Sequence, residues 1–394
     1  MKRKADSPRD RHLFGPGPKR ILSLDGGGVR GVVSLAFLRR IEKLVDEIEG
    51  KPTRLCDWFD LIGGTSTGAI IAAALALGYR VAEIEIFYNQ LAPKIFRKSR
   101  FRIFGWSAKF NAEHLAGELA RIIGPRTMDS TDLQTGLCLV LKRMDTGSAW
   151  MVMNNPASAF WESPADAAFV GNRYLPLVEI VRASTAAPSF FDPQLIEIVK
   201  GAAPGLFIDG GLTPHNNPAL LLLTAAILPP YGLSWSIGPD KLLLVSVGTG
   251  TYRPTLSPEK AKGMTAIGLA LRSLGAMIAE GQQLVLTLMT FLGESPTSWT
   301  VNSEIGDPGR YTSPTGNLFR FLRYDIKLEK PWLKEKLGRD VAAQDISKLR
   351  QMDNPVNMDI LRDFALQAAE LQIRKDDLGF APKPKRRRAV SRRK

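Results

Sequence analysis

Short apolar runs, each stopped by glycine, alternate along this chain with longer stretches whose apolar positions repeat at helical spacing. The first run, residues 21–24, ends at Asp25-Gly26-Gly27-Gly28. Behind it Val32, Val33, Leu35, Ala36, Leu38, Ile41, Leu44, Val45 and Ile48 form one stripe closed by Gly50, which predicts a helix. Residues 59–62 predict a second buried strand, and the turn 63–68 leads it into a helix over 69–77. Strand, turn, helix, repeated, is the rhythm of an α/β fold with a parallel sheet. The same reading predicts strands at 136–142, 149–154, 205–208 and 241–247, and helices at 81–91, 112–123, 175–183, 218–227 and 266–292. From about 293 the chain turns polar and irregular, then helical again over 355–374, as an appended region would.

Charge changes this picture only at the ends. The net charge is +14, but residues 1–20 carry +5 and residues 383–394 carry +8, so residues 21–382 are close to neutral. Such ends have little to bury against their ordering entropy, which predicts basic disordered tails over 1–20 and 381–394. They suit solubility, or attraction to an anionic membrane surface, at about 1 kcal/mol per Lys or Arg; the run 383–388 also reads as a nuclear address in a eukaryote. A basic and aromatic stretch, 97–109, reads as a membrane-facing lid or as a packed surface segment. The two cysteines, Cys56 and Cys138, make no disulfide framework and predict a reducing compartment. No signal-peptide core follows the basic start. The longest apolar runs, 69–78 and 219–228, fall short of the roughly 20 residues that span a bilayer. The expectation is a cytoplasmic protein, peripheral at the membrane.

The chemistry concentrates at the glycine-rich ends of the predicted strands. Gly64-x-Ser66-x-Gly68 between strand and helix has the pattern of a nucleophile elbow, which lifts a serine hydroxyl above the sheet edge. The earlier junction, Gly26, Gly27 and Gly28, lies on the same carboxyl edge of a parallel sheet and presents consecutive N–H groups suited to an oxyanion. Arg30 could add charge there or orient the loop by pairing with a carboxylate. Gly26, Gly28 and Gly31 also fit G-x-G-x-x-G, but Asp25 would stand beside a pyrophosphate, and the next strand ends in serine rather than a ribose-binding acid. A base for Ser66 has few sources. Among three histidines only His215 is a serious candidate; Asp209, followed by Gly210 and Gly211, is the carboxylate alternative at a predicted strand end.

These elements, in this order, resemble the patatin-like phospholipase family. The matching blocks are residues 25–31 (DGGGVRG), 64–68 (GTSTG), Asp209-Gly210-Gly211 with Asn216-Asn217-Pro218, and two lesser blocks, 182–188 and 246–250, together covering about 20–255. The resemblance implies an α/β three-layer sandwich with a mostly parallel central sheet. It implies a Ser66–Asp209 dyad without histidine, an oxyanion hole of Gly26, Gly27 and Gly28, and no need for Ca²⁺, other metal or cofactor. Gly64, Gly68, Gly210, Gly211 and Arg30 would support the site. The substrate implied is a membrane phospholipid, cleaved at a fatty-acyl ester. Some bacterial members of the family are antiphage (CBASS) effectors switched on by cyclic oligonucleotides, so an activator of that kind is a further expectation, although no motif after 255 names its site. The expected organisation is a hydrolase domain over 21–255 and a helical extension packed on it over 256–380. The rival enzyme reading is a lysophospholipase or thioesterase. The rival of another class is a non-catalytic binder of anionic surfaces through the tails; no specific duplex nucleic-acid binding is expected.

Overall fold

The computed structural model describes residues 7–95, 112–188, 190–311 and 313–380. Nine strands appear among them: β1 (Lys19–Leu24), β2 (Leu61–Thr65), β3 (Gly136–Arg143), β4 (Ala149–Met153), β5 (Gln194–Ile196), β6 (Gly205–Asp209), β7 (Leu242–Val247), β8 (Gly293–Glu294) and β9 (Phe319–Tyr324). They form one sheet in the order β5-β6-β3-β2-β1-β7-β9-β8, with β4 also paired to β3. The pairs from β3 through β8 along this path are parallel, and β3–β4, β3–β6 and β5–β6 are antiparallel.

Side chains alternate between the two faces of a strand, and here both faces are covered. Leu22, Leu24, Ile62, Leu139, Val245 and Leu322 belong to one apolar cluster, shared with the helices Gly31–Glu49, Thr67–Ala76 and Met358–Gln372. Ile21, Leu61, Cys138, Leu244 and Phe321 belong to the other, shared with Ala219–Ile227 and the end of Ala266–Leu292. The result is helices, sheet, helices. Burial on both faces is why β7 reads as a nearly continuous apolar run rather than as an alternating one.

Two expectations about organisation need correction. Residues 7–20 are not a disordered tail. Ser7 caps a helix, Pro8–Phe14, through a 3.1 Å bond from the Asp10 N–H, and Leu13 is buried. Asp60 places two side chains of this stretch: His12 Nδ1 lies 3.0 Å and Lys19 Nζ 3.8 Å from its carboxylate. Nor is 256–380 only a helical appendage, because β9 pairs with β7 in the central sheet. Its two arginines, Arg320 and Arg323, are buried yet paired to carboxylates, which gives a core strand a polar sequence. The stretch 97–109 and the basic run from 381 lie outside the described residues.

Candidate active site

β2 delivers Ser66 at a sharp turn before the helix Thr67–Ala76. Its backbone stands at φ 54° and ψ −123°, a region L-residues enter only under constraint. Glycines supply the room. A Cβ on Gly64 would lie 2.1 Å from the Gly68 carbonyl oxygen, and one on Gly68 would lie 2.3 Å from that of Leu24. The strained turn is also tied down: the Ser66 N–H donates to Ser184 Oγ at 2.9 Å, and that hydroxyl donates to Val140 O at 2.6 Å.

Asp209 reaches Ser66 through the sheet. β2 pairs with β3 as far as Val140, and there the chain turns away into the elbow. On its other edge β3 already carries β4, opposite Leu141 and Lys142. β6 pairs with the same two residues, so it must occupy the edge that β2 vacates, and Asp209 stands opposite Leu141. Ser66 Oγ lies 2.5 Å from Asp209 Oδ2, while Oδ1 accepts the Gly211 N–H at 2.7 Å. Gly210 has no room for a side chain, since a Cβ would meet Val140 O at 2.3 Å. Burial raises the Asp209 pKa to about 6, against the opposing pull of the Ser66 and Gly211 hydrogen bonds and the charge of Arg182. It is therefore an ionised but unusually basic carboxylate at neutral pH.

The glycine loop faces this pair. A Cβ on Gly26 would stand 3.1 Å from Ser66 Cβ. Each carbonyl of the loop is drawn aside: Gly26 O accepts from Thr249 Oγ1 at 2.8 Å, Gly27 O from the Arg30 N–H at 3.2 Å, and Gly28 O from Thr67 and Tyr88 hydroxyls. The Gly26 N–H, however, donates to Asn216 O at 3.1 Å, and the Val29 N–H to Met352 O at 2.8 Å. The amides of Gly27 and Gly28 lie between these two. Spacing alone cannot show that Gly26, expected as an oxyanion donor, has its N–H committed to Asn216.

A family model described as patatin-like phospholipase matches residues 22–223, the span that holds the elbow, the glycine loop and Asp209. The chain belongs to the patatin-like phospholipase family. It is 28% identical to a cGAMP-activated phospholipase of Vibrio cholerae over 67% of this chain and 75% of that one. It is 31% identical to a cUMP-AMP-activated phospholipase of Escherichia coli over 65% and 73%. Patatin-like protein 1 of Arabidopsis thaliana is 27% identical over 59% of each chain, so this protein matches about three-fifths of that plant relative's length.

In this patatin-like chain Arg30 makes no ion pair with a carboxylate among the described residues. Its guanidinium donates to Gly250 O at 2.8 Å and lies 5.7 Å from the centre of the Tyr252 ring, holding the loop's far side. The carboxylate partner in this region belongs to Asp25 instead. Arg323 of β9 donates to both its oxygens at 3.0 and 2.7 Å, to Asp325 at 2.8 Å and to Ser246 at 2.8 Å, all buried. Burial raises Asp25 to about 6, even against the charge of Arg323. Burial also opposes the charge on Arg323, but the two carboxylates outweigh it and hold the guanidinium protonated. Arg323→Ala would strand two buried acids, and removing one partner of such a group costs about 3–5 kcal/mol. Thermal melts should show that loss at pH 8 and a smaller one at pH 5, where Asp25 takes up a proton. An equal loss at both would disprove the coupling.

Among the described residues no hydrogen bond joins the His215 ring to Ser66: its Nδ1 is buried without a partner, burial lowers its pKa, and its backbone carbonyl accepts from Thr65 Oγ1 at 2.7 Å. Sequence reading passed over Ser184, Thr249 and Arg323. Thr249 lay within the block 246–250 and could have been found there; Ser184 lay within 182–188. Arg323 carried no signal, since its partner stands 298 residues away.

Proposed function

We propose that this protein is a serine acyl hydrolase of membrane phospholipids, working through Ser66 and Asp209. The observation that carries the reading is the 2.5 Å contact between the Ser66 hydroxyl and a buried carboxylate of raised basicity. Asp209 takes the Ser66 proton as Oγ attacks the ester carbonyl carbon. The Gly27 and Gly28 amides receive the oxyanion, and the departing alcohol takes the proton. Water then gives a proton to Asp209 and attacks the acyl-serine, which releases the fatty acid and returns the hydroxyl. No third group is needed to orient the base, because the Gly211 N–H fixes one oxygen of Asp209 and leaves the other to Ser66.

A lipid surface is the proposed workplace. In the helix Ala266–Leu292, Leu269, Leu274 and Met277 are exposed, and Gly281 of the same helix lies against Pro214, beside the site. No helix among the described residues is long and apolar enough to cross a membrane. Relatives named as cyclic-dinucleotide-activated phospholipases support ligand-gated activity in this chain too.

The test is fatty-acid release from vesicles of defined lipids as a function of pH. With the Asp209 pKa raised to about 6, the base is ionised only above that value. Activity should fall about tenfold per pH unit below 6 and level off above it. A flat profile down to pH 4 would exclude Asp209 as the base.

A further inference from the structure

A cleft of about 540 Å³ opens beyond β9, between residues 296–299, the helix Lys330–Leu337 and the helix Met358–Gln372. It is separate from Ser66, and its volume is that of a small-molecule site. Two indoles, Trp299 and Trp332, line it, both partly buried. One face of Trp299 is already covered by the Lys327 ammonium, 5.0 Å from the ring centre. The carboxylates of the cleft are engaged: Glu335 pairs with Lys336 at 2.8 Å, and Asp377 lies 3.9 Å from Arg320. Arg374 makes no ion pair among the described residues. Arg323 forms part of the inner wall, and its Nε is buried without a hydrogen-bond partner among the described residues. Flat aromatic faces beside an uncommitted cation suit a ligand that carries both planar bases and phosphodiester anions.

The wall of this cleft is also one residue from the oxyanion loop. Thr297 accepts the Arg323 N–H at 2.8 Å, and Gln372 clasps the Asp325 backbone, donating to its carbonyl at 2.8 Å. Arg323 then grips Asp25, which directly precedes Gly26. Asp325 accepts the Gly250 N–H at 2.8 Å, and Gly250 O in turn holds Arg30. These bonds link Thr297 and Gln372 to both ends of the glycine loop. We propose that this cleft binds a cyclic dinucleotide, stacked on Trp299 or Trp332 and held by Arg374, and that the ligand sets the oxyanion loop through Arg323 and Asp25. The proposal rests on the ligand-gated hydrolase reading given above. It adds the site and the route.

The test uses the full chain, with calorimetric titration of cyclic GMP–AMP and cyclic UMP–AMP and the corresponding linear dinucleotides as controls. Fatty-acid release is followed in parallel, and melts confirm that each variant is folded. Wild type should bind a cyclic dinucleotide. Trp332→Ala and Arg374→Glu should each weaken that binding at least tenfold and move the activation curve to higher ligand by the same factor. Gln372→Leu, which unclasps Asp325 but leaves the indoles and Arg374, should bind within threefold of wild type and lose most of the stimulation. Should Trp332→Ala not fold, Arg374→Glu at its exposed position decides alone. Tight binding and normal activation in both variants would place the ligand elsewhere and sink the cleft, with the gated hydrolase intact. Absence of binding by wild type, with full release in its absence, would instead sink the gating and the cleft together. Gln372→Leu that binds and is stimulated normally would overturn the route.

Discussion

Ser66→Ala is expected to lower fatty-acid release by about 10⁴-fold or more while the protein stays folded, because the proposed nucleophile would act as a unit with its base and oxyanion donors. Alanine keeps the Cβ and so meets the same backbone constraint at φ 54°. Ser66→Gly tests the strain separately. Glycine enters this region freely, so that variant should be equally inactive yet melt higher than Ser66→Ala, by an amount on the order of 1 kcal/mol. Release at even a hundredth of the wild-type rate by either variant would remove Ser66 from the reaction. No difference in melting would say that the turn stores no strain.

Asp209→Asn should cost about 10³-fold in activity, within the range of a lost general base, and should make the protein more stable. The second effect follows from linkage. Asp209 binds its proton more tightly in the folded state, with a pKa near 6, than its ordinary value of 3.8. Its contribution to stability is therefore fully present below about pH 4 and is lost as pH rises through about 6. A neutral amide escapes that loss. At pH 8 the gain could reach about 3 kcal/mol, and it should vanish below pH 4. Denaturant titrations at the two pH values measure it. An Asn variant that is less stable at pH 8 than wild type would show that the hydrogen bonds to the carboxylate outweigh its burial.

The parts of this molecule that could be read from sequence are those whose cause is local. Residues 21–24 announce a buried strand because only the small hydroxyl of Ser23 interrupts the apolar run before Asp25. Ser66 is marked by the glycines its own turn requires. Long-range pairing leaves no such trace. Phe319-Arg-Phe-Leu-Arg-Tyr324 alternates aromatic and basic residues and reads as exposed, until Glu294, Asp377, Asp25 and Asp325 are brought against its two guanidiniums. Lys19 looked like solvated charge for the same reason, its partner Asp60 being some forty residues on. At the site, sequence could nominate three glycines, but which amide remains available depends on Asn216 and Met352, two distant carbonyls.

The family match ends at residue 223, a hundred residues short of Arg323. A fragment cut to the matched span would retain Ser66, Asp209 and every glycine proposed to act with them. It would also expose the flank of β1 where β7 pairs, and it would leave Asp25 without a counter-ion. Such a fragment should reach the insoluble fraction on expression, whatever its catalytic residues. For a cloner choosing endpoints, the useful boundary is set by what neutralises Asp25 and closes over Gly28, which extends to Met352 and the helix after it.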